Sequence, residues 1–372
     1  MNTHVIFYAT SCQYQGTRMS SSAPETKEHY NHSNVKFLGL ELAPLHIPWH
    51  RRMETVSVIH WLTVFLFSGF ICIGFCIYLL YTNFYWVSLL TFAWVYYDRK
   101  CSRQGGRRFE SVRKWRVWMH TRNYFPISLH KTSDLDPKNN YVFGFHPHGI
   151  MSMGAFINFS TDATGFDEKF PGIKGTVLTL QGWFYIPFIR EYLLAASVCD
   201  VSRDSIDWIL GKSGTGNAAV VVVGGATESL EANPNVHRLY LSRRKGFIKR
   251  AIVNGAHLVP VYSFGETDVF VQMPNPEGSR LRKLQAYLTK YIGFAPPVFH
   301  GRGIFNYSMG LIPYRRPIHT VVGAPIPTKK SINPSNEEVE AVHKEYMDAL
   351  VSLFEEHKTK YGIDKDKKLV II

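Results

Sequence analysis

Between Glu54 and Asp98 the chain carries no Asp, Glu, Lys or Arg, the sharpest change of pattern along its length. A helix needs about 20 apolar residues to cross a bilayer core, and this run is roughly twice that. It breaks at Thr82-Asn83, so the pattern predicts a membrane hairpin of two short helices over residues 55–97. Arg51 and Arg52 precede the run, and Arg99, Lys100, Arg103, Arg107 and Arg108 follow it. Basic residues on both flanks predict that both ends lie on the cytosolic side. Trp61, Tyr78, Tyr81, Tyr85 and Trp86 suit interfacial depths. A buried soluble hairpin is the competing reading. Residues 1–50 are polar, show no sustained period and lack the basic flank and apolar core of a secretory signal; they read as a mobile tail.

Residues 105–372 read as a soluble α/β domain. Apolar runs at Tyr141–Phe145, Ala218–Val223, His257–Phe264 and His319–Val322 read as buried strands, each leading into a turn or a glycine. Helical spacing lies between them at Asp204–Leu210, Gly246–Asn254 and Leu281–Tyr291. Such alternation favours a sheet covered by helices. A last amphipathic helix starts at Ser335, with Glu338 completing a capping box. Its stripe is Val339, Val342, Tyr346, Ala349, Leu350 and Leu353, and Gly362 is a plausible stop.

Hydrophobic residues make up 45% of the 372 and charged residues 19%, which excludes disorder throughout. The net charge of +13 fits nucleic acid, an anionic membrane surface or a phosphorylated small molecule. No nucleic-acid-reading module is visible, so the other two partners remain. Five scattered cysteines (Cys12, Cys72, Cys76, Cys101 and Cys199) argue against a disulfide framework.

Candidate chemistry clusters at three places. His146-Pro147-His148-Gly149 directly follows the first strand, at the sheet edge where α/β proteins build sites. Proline stiffens this turn, and glycine allows close approach to a ligand. Imidazole is the side chain best poised to take a proton from an alcohol near neutral pH. A metal pair and a purely structural pair are the alternatives, and no Cys, Asp or Glu lies close by in sequence to complete a metal site. Glu228 follows Gly224-Gly225 beyond another strand, where it could orient His148 or simply serve a helix start. Arg243, Arg244, Lys245, Lys249 and Arg250 gather near a helix start, suiting phosphate groups, anionic headgroups or plain solvation. Gly211-Lys212-Ser213 fails as a phosphate loop because Ile206 stands where its first glycine belongs. There is no Gly-x-Ser-x-Gly nucleophile elbow.

In these residues the chain resembles the diacylglycerol acyltransferase type 2 family, which includes the monoacylglycerol acyltransferases. The family's His-Pro-His-Gly stands here as His146–Gly149, and its Tyr-Phe-Pro block as Tyr124-Phe125-Pro126. Its long signature is matched by Arg244-Lys245-Gly246-Phe247, Ala251, Gly255, Leu258-Val259-Pro260 and Phe264-Gly265-Glu266. The resemblance implies acyl transfer from acyl-CoA to a mono- or diacylglycerol hydroxyl, at the endoplasmic reticulum and lipid droplets, with no bound cofactor. It leaves self-association open. It also implies distant kinship with the glycerolipid acyltransferases that use His-x-x-x-x-Asp. The Asp is missing, since Met151 and Met153 occupy the positions five after His146 and His148. The expectation is therefore His148 as general base, His146 as its competitor for that role, and Glu228 as the carboxylate partner. Gly149 and the five cations would contact acyl-CoA. The other readings are a long-chain alcohol, retinol or sterol acceptor, and an inactive lipid-droplet hairpin protein.

Overall fold

A computed structural model of the chain describes residues 36–372 other than 38–39, 45, 277 and 293–296. Most of the expected tail thus lies outside the described residues. The end of that stretch is tied down: the Ala43 N–H donates to the Phe305 carbonyl at 2.9 Å, and the Tyr307 N–H to the Glu41 carbonyl at 2.8 Å.

The first helical run is longer than its charge pattern predicts. It begins at α1 (Trp49–Leu62), passes through a π turn at Thr63–Phe67 and ends in α2 (Ser68–Leu80). Glu54 does not mark its start, because the carboxylate is buried in the helix and paired with Arg315. Ser57, Val58, Trp61 and Leu62 share its buried face, and α1 packs on α4 (Arg116–Tyr124). The chain then turns at Tyr81–Phe84, where Thr82 Oγ1 accepts the Phe84 N–H at 3.1 Å and donates to the Leu79 carbonyl at 2.9 Å. The break expected at Thr82-Asn83 falls within this turn. α3 (Tyr85–Tyr97) packs back on α2, pinned by a 2.8 Å bond from the Ser88 hydroxyl to the Cys76 carbonyl. Outward from this pair point Phe70, Ile71 and Leu90, which are 80, 59 and 62% exposed. The 32-residue run Trp49–Leu80 is long and apolar enough to cross a membrane.

A seven-stranded sheet forms the centre of the body. Its strands are β1 (Ser128–Lys131), β2 (Tyr141–His146), β3 (Lys174–Thr179), β4 (Val198–Asp200), β5 (Asn217–Val222), β6 (His257–Phe264) and β7 (His319–Val322). Their spatial order is β1-β7-β6-β2-β5-β3-β4. All neighbours are parallel except β6 and β7. β2 and β5 lie side by side with both faces covered, which explains why they read as continuous apolar runs rather than alternating ones.

Two cores result, one on each face. Phe143 and Phe145 pack into the first with Phe159 and Trp118. Val142 packs into the second with helices α8 (Gly246–Asn254) and α10 (Asn336–His357). The preceding helices are α5 (Ile189–Ala195), α6 (Arg203–Gly211) and α7 (Gly225–Ser229), and α9 (Arg280–Ile292) follows α8. Ser335 caps α10 as expected, its hydroxyl accepting the Glu338 N–H at 3.1 Å. The buried stripe of α10 also includes His343 and Phe354, whereas Val342 and Ala349 lie at its margin.

Two glycines separate conformational from steric need. Gly265 and Gly362 both hold left-handed backbone, at φ of 86° and 82°. A Cβ at Gly265 would lie 2.1 Å from the Pro317 carbonyl oxygen, whereas at Gly362 it would meet nothing within 4 Å. Gly265→Ala should therefore cost about 2–4 kcal/mol, combining overpacking with left-handed strain. Gly362→Ala should cost only about 1 kcal/mol. Denaturant midpoints of the two variants in detergent test the ranking, and equal losses would refute it.

Candidate active site

Strand alternation separates the two histidines of the turn. Along β2, Val142, Gly144 and His146 face α10, while Phe143 and Phe145 face the opposite core. His146 is fully buried, with Nε2 bonded to the Tyr346 hydroxyl at 3.0 Å. That hydroxyl donates to the Gly144 carbonyl at 3.0 Å, so His146 Nε2 must be the donor to Tyr346. Burial drives the His146 pKa down to about 3 and keeps the ring neutral. The first histidine of the motif therefore packs between sheet and helix and does not line the cavity that His148 borders.

His148, beyond the strand end, borders a cavity of about 280 Å³. The other walls are mainly apolar and include Trp61, Phe65, Phe156, Trp183 and Phe299. Within the turn, His148 Nδ1 lies 2.9 Å from the Gly149 carbonyl oxygen. A carbonyl only accepts, so this contact places the ring proton on Nδ1 and leaves Nε2 with the lone pair. Burial lowers the His148 pKa below its usual value, opposed in part by the bond to Gly149. The ring is thus a neutral base with its accepting nitrogen on the edge opposite the turn. The Ser152 hydroxyl donates to the His148 carbonyl at 2.9 Å and closes the loop.

Glu228 reaches this loop by a different route from the one its sequence position suggests. Its Oε1 accepts the backbone N–H of His148 at 2.6 Å, and Oε2 accepts that of Tyr240 at 3.1 Å. The carboxylate holds the main chain, and the ring takes its orientation from Gly149. Parallel pairing explains the meeting, because β2 and β5 end side by side and α7 starts at once after β5. Burial raises the Glu228 pKa to about 7, with the two N–H donors and the nearby Arg244 charge pulling against it.

A second buried carboxylate, Glu266, supports the loop from beneath. It accepts the Gly154 N–H at 3.0 Å and the Ser263 hydroxyl at 3.2 Å. Ser263 continues through Thr320, at 2.9 Å, to Asn158, whose amide donates to Thr320 at 2.8 Å. Burial lifts Glu266 to about 7 as well. Gly149 sits directly on it, at φ 60°, where a Cβ would come within 2.8 Å of Glu266 Cγ. Sequence reasoning registered Glu266 only as the end of a signature. The usable signal was a carboxylate following a mainly apolar strand and a glycine.

The five cations do not line the cavity. Lys245 is paired with Glu340, and Arg250 with Asp207 at 2.8 Å. Arg243, Arg244 and Lys249 are exposed, and Arg244 is near enough to act on Glu228. Among the described residues, no group of three or more His, Cys, Asp or Glu could hold a metal ion. The four described cysteines are free thiols.

These features can be set beside known proteins. The chain is 50% identical over 331 residues to 2-acylglycerol O-acyltransferase 1 of Bos taurus, covering 89% of this chain and 99% of that one. It is 47% identical over 322 residues to diacylglycerol O-acyltransferase 2 of Homo sapiens, covering 86 and 83%. The crystal structure of the 1-acyl-sn-glycerophosphate acyltransferase PlsC of Thermotoga maritima overlaps 83% of this chain and 96% of its own. That overlap has a TM-score of 0.38 and 11% identity, too loose to bear on mechanism. The family model described as diacylglycerol acyltransferase matches residues 77–372, a span that includes the His148 turn, both buried carboxylates and the whole sheet. By that match and by the identity it shares along nearly all of its relatives' length, the chain belongs to the diacylglycerol acyltransferase family.

Proposed function

We propose that the protein transfers a fatty acyl group from acyl-CoA to the free hydroxyl of a mono- or diacylglycerol, with His148 as general base. The observation that carries this reading is the His148–Gly149 bond, which leaves Nε2 as a lone-pair nitrogen on a ring bordering an apolar cavity. A free alcohol is a weak nucleophile and gains most from a base at its proton. Nε2 takes the hydroxyl proton as the oxygen bonds to the thioester carbon. Backbone N–H groups of the turn around Gly149 hold the resulting oxyanion. The C–S bond then breaks, and the leaving thiolate recovers the proton from Nε2. Glu228 and Glu266 act on the backbone that carries the base. The exposed Arg243, Arg244 and Lys249 are assigned to the phosphates of coenzyme A, outside the cavity.

The same reading places α2 and α3 in lipid at the endoplasmic reticulum or a lipid droplet, with the body on the cytosolic face. Each large apolar side chain left in water forgoes about 1.5–3 kcal/mol, and Phe70, Ile71 and Leu90 all point outward. α3 has 13 residues, so at 1.5 Å per residue it is about 20 Å long, short of the ~30 Å bilayer core. It therefore fits a re-entrant hairpin.

His148→Ala should lose roughly 10²–10⁴-fold in turnover while still floating with membranes. His146→Gln should keep most of its turnover per folded molecule and lose stability instead. Purified enzyme, labelled acyl-CoA and competing acceptors would measure both, and near-normal turnover by His148→Ala would refute the assignment.

The rate should also fall at acid pH. Burial holds the His148 pKa below 6.5, so the base is intact at neutrality and is lost only below that value. The acid limb of kcat should have its midpoint below pH 6.5 and survive in Glu228→Gln, which removes a carboxyl titrating near 7. A limb abolished by that substitution would belong to the carboxyl. For the hairpin, the triple change Phe70→Ser, Ile71→Ser and Leu90→Ser should reduce recovery with liposomes on flotation. Unaltered flotation would count against membrane insertion of these helices.

A further inference from the structure

α9 is folded onto the body partly through polar side chains. Gln285 is buried and bonded to Asn275 at 2.5 Å, and Arg282 is paired with Glu231 at 2.7 Å. Three large apolar side chains lie on a different side. Leu284, Tyr287 and Tyr291 follow helical spacing along one stripe and are 56, 61 and 65% exposed. Packing against the body does not account for a stripe of three large apolar side chains this exposed. Arg280, Lys283 and Lys290 are exposed beside the stripe, as on helices that lie in a lipid interface, with aromatic rings at the headgroup level and cations toward anionic lipid.

Position strengthens the case. Glu231, which anchors α9, lies just beyond α7, whose Gly225, Ala226 and Ser229 line the cavity. Pro297 and Phe299, downstream of α9, line it too. Its lining also includes Phe65 and Leu66 at the base of the hairpin. The cavity thus borders the base of the hairpin and segments adjoining α9, and both helical elements present apolar side chains outward.

We propose that α9 is a second lipid-contacting element. Its Leu284–Tyr287–Tyr291 stripe seats in the membrane surface from which the acylglycerol enters the cavity. This rests on the membrane reading of the hairpin, but the contact is separate from it.

The test is photo-crosslinking of the full chain, reconstituted in liposomes of phosphatidylcholine and phosphatidylserine with a radiolabelled tracer lipid. p-Benzoyl-phenylalanine replaces Tyr287 in one variant, Phe70 in a second and the exposed Glu356 of α10 in a third. The expected result is lipid adducts at 287 and 70 and none at 356. Adducts at 70 without any at 287 would overturn the α9 proposal and leave the hairpin reading standing, and adducts at neither would remove both. A crosslink from 287 to a second copy or to the chain itself would also overturn it, by giving the stripe a protein partner.

Discussion

The bond from the His148 ring to the carbonyl of the next residue fixes which ring nitrogen is free to accept a proton. Under the proposed mechanism that choice matters, because a histidine with its proton on the other nitrogen would present a donor to an incoming alcohol. The turn around that bond is held from several sides. Gly149 can occupy its left-handed position only because it lacks a side chain, and beneath it Glu266 fills the space a Cβ would need. Glu228 fixes the main chain of His148 itself. Two carboxylates therefore bracket His148 without touching its ring, and both are buried, so little water competes for the N–H groups they accept.

Much of this was legible in the sequence, and the limits have physical causes. The strands His257–Phe264 and His319–Val322 and the helix Gly246–Asn254 read at their observed boundaries, because two-sided burial and a left-handed Gly255 leave plain marks. β1, β3 and β4 did not stand out. Ser128–Lys131 is a short half-buried strand carrying Ser, His and Lys, Lys174–Thr179 includes Lys and Gly, and Val198–Asp200 has only three residues. The turn bearing the site was evident from its residue types. Which histidine faces the cavity depends on the pleat of β2, and what Glu228 holds depends on the register of β2 against β5. Neither is written in one segment alone. The five clustered cations looked like a unit because they are near in sequence, yet Lys245 and Arg250 are committed to α10 and α6.

The helix begins before residue 55, and the reason is instructive. A charge usually marks the edge of an apolar segment, but Glu54 is neutralised by Arg315, whose guanidinium also lies 4.0 Å over the Tyr124 ring. Tyr124 donates in turn to the Pro313 carbonyl at 2.5 Å. An ion pair inside the body thus lets one helix continue from protein surroundings into its exposed apolar half.

That continuity has a consequence for how the molecule can be divided. Trp61, Phe65 and Leu66 belong to the same rod as the outward-facing Phe70 and Ile71, yet they form one side of the cavity. Hairpin and chamber share a wall. A version of the body trimmed of the hairpin rod would lose that wall with it, and the cavity would stand open to solvent. Any shortened form of this architecture would first have to supply a substitute panel.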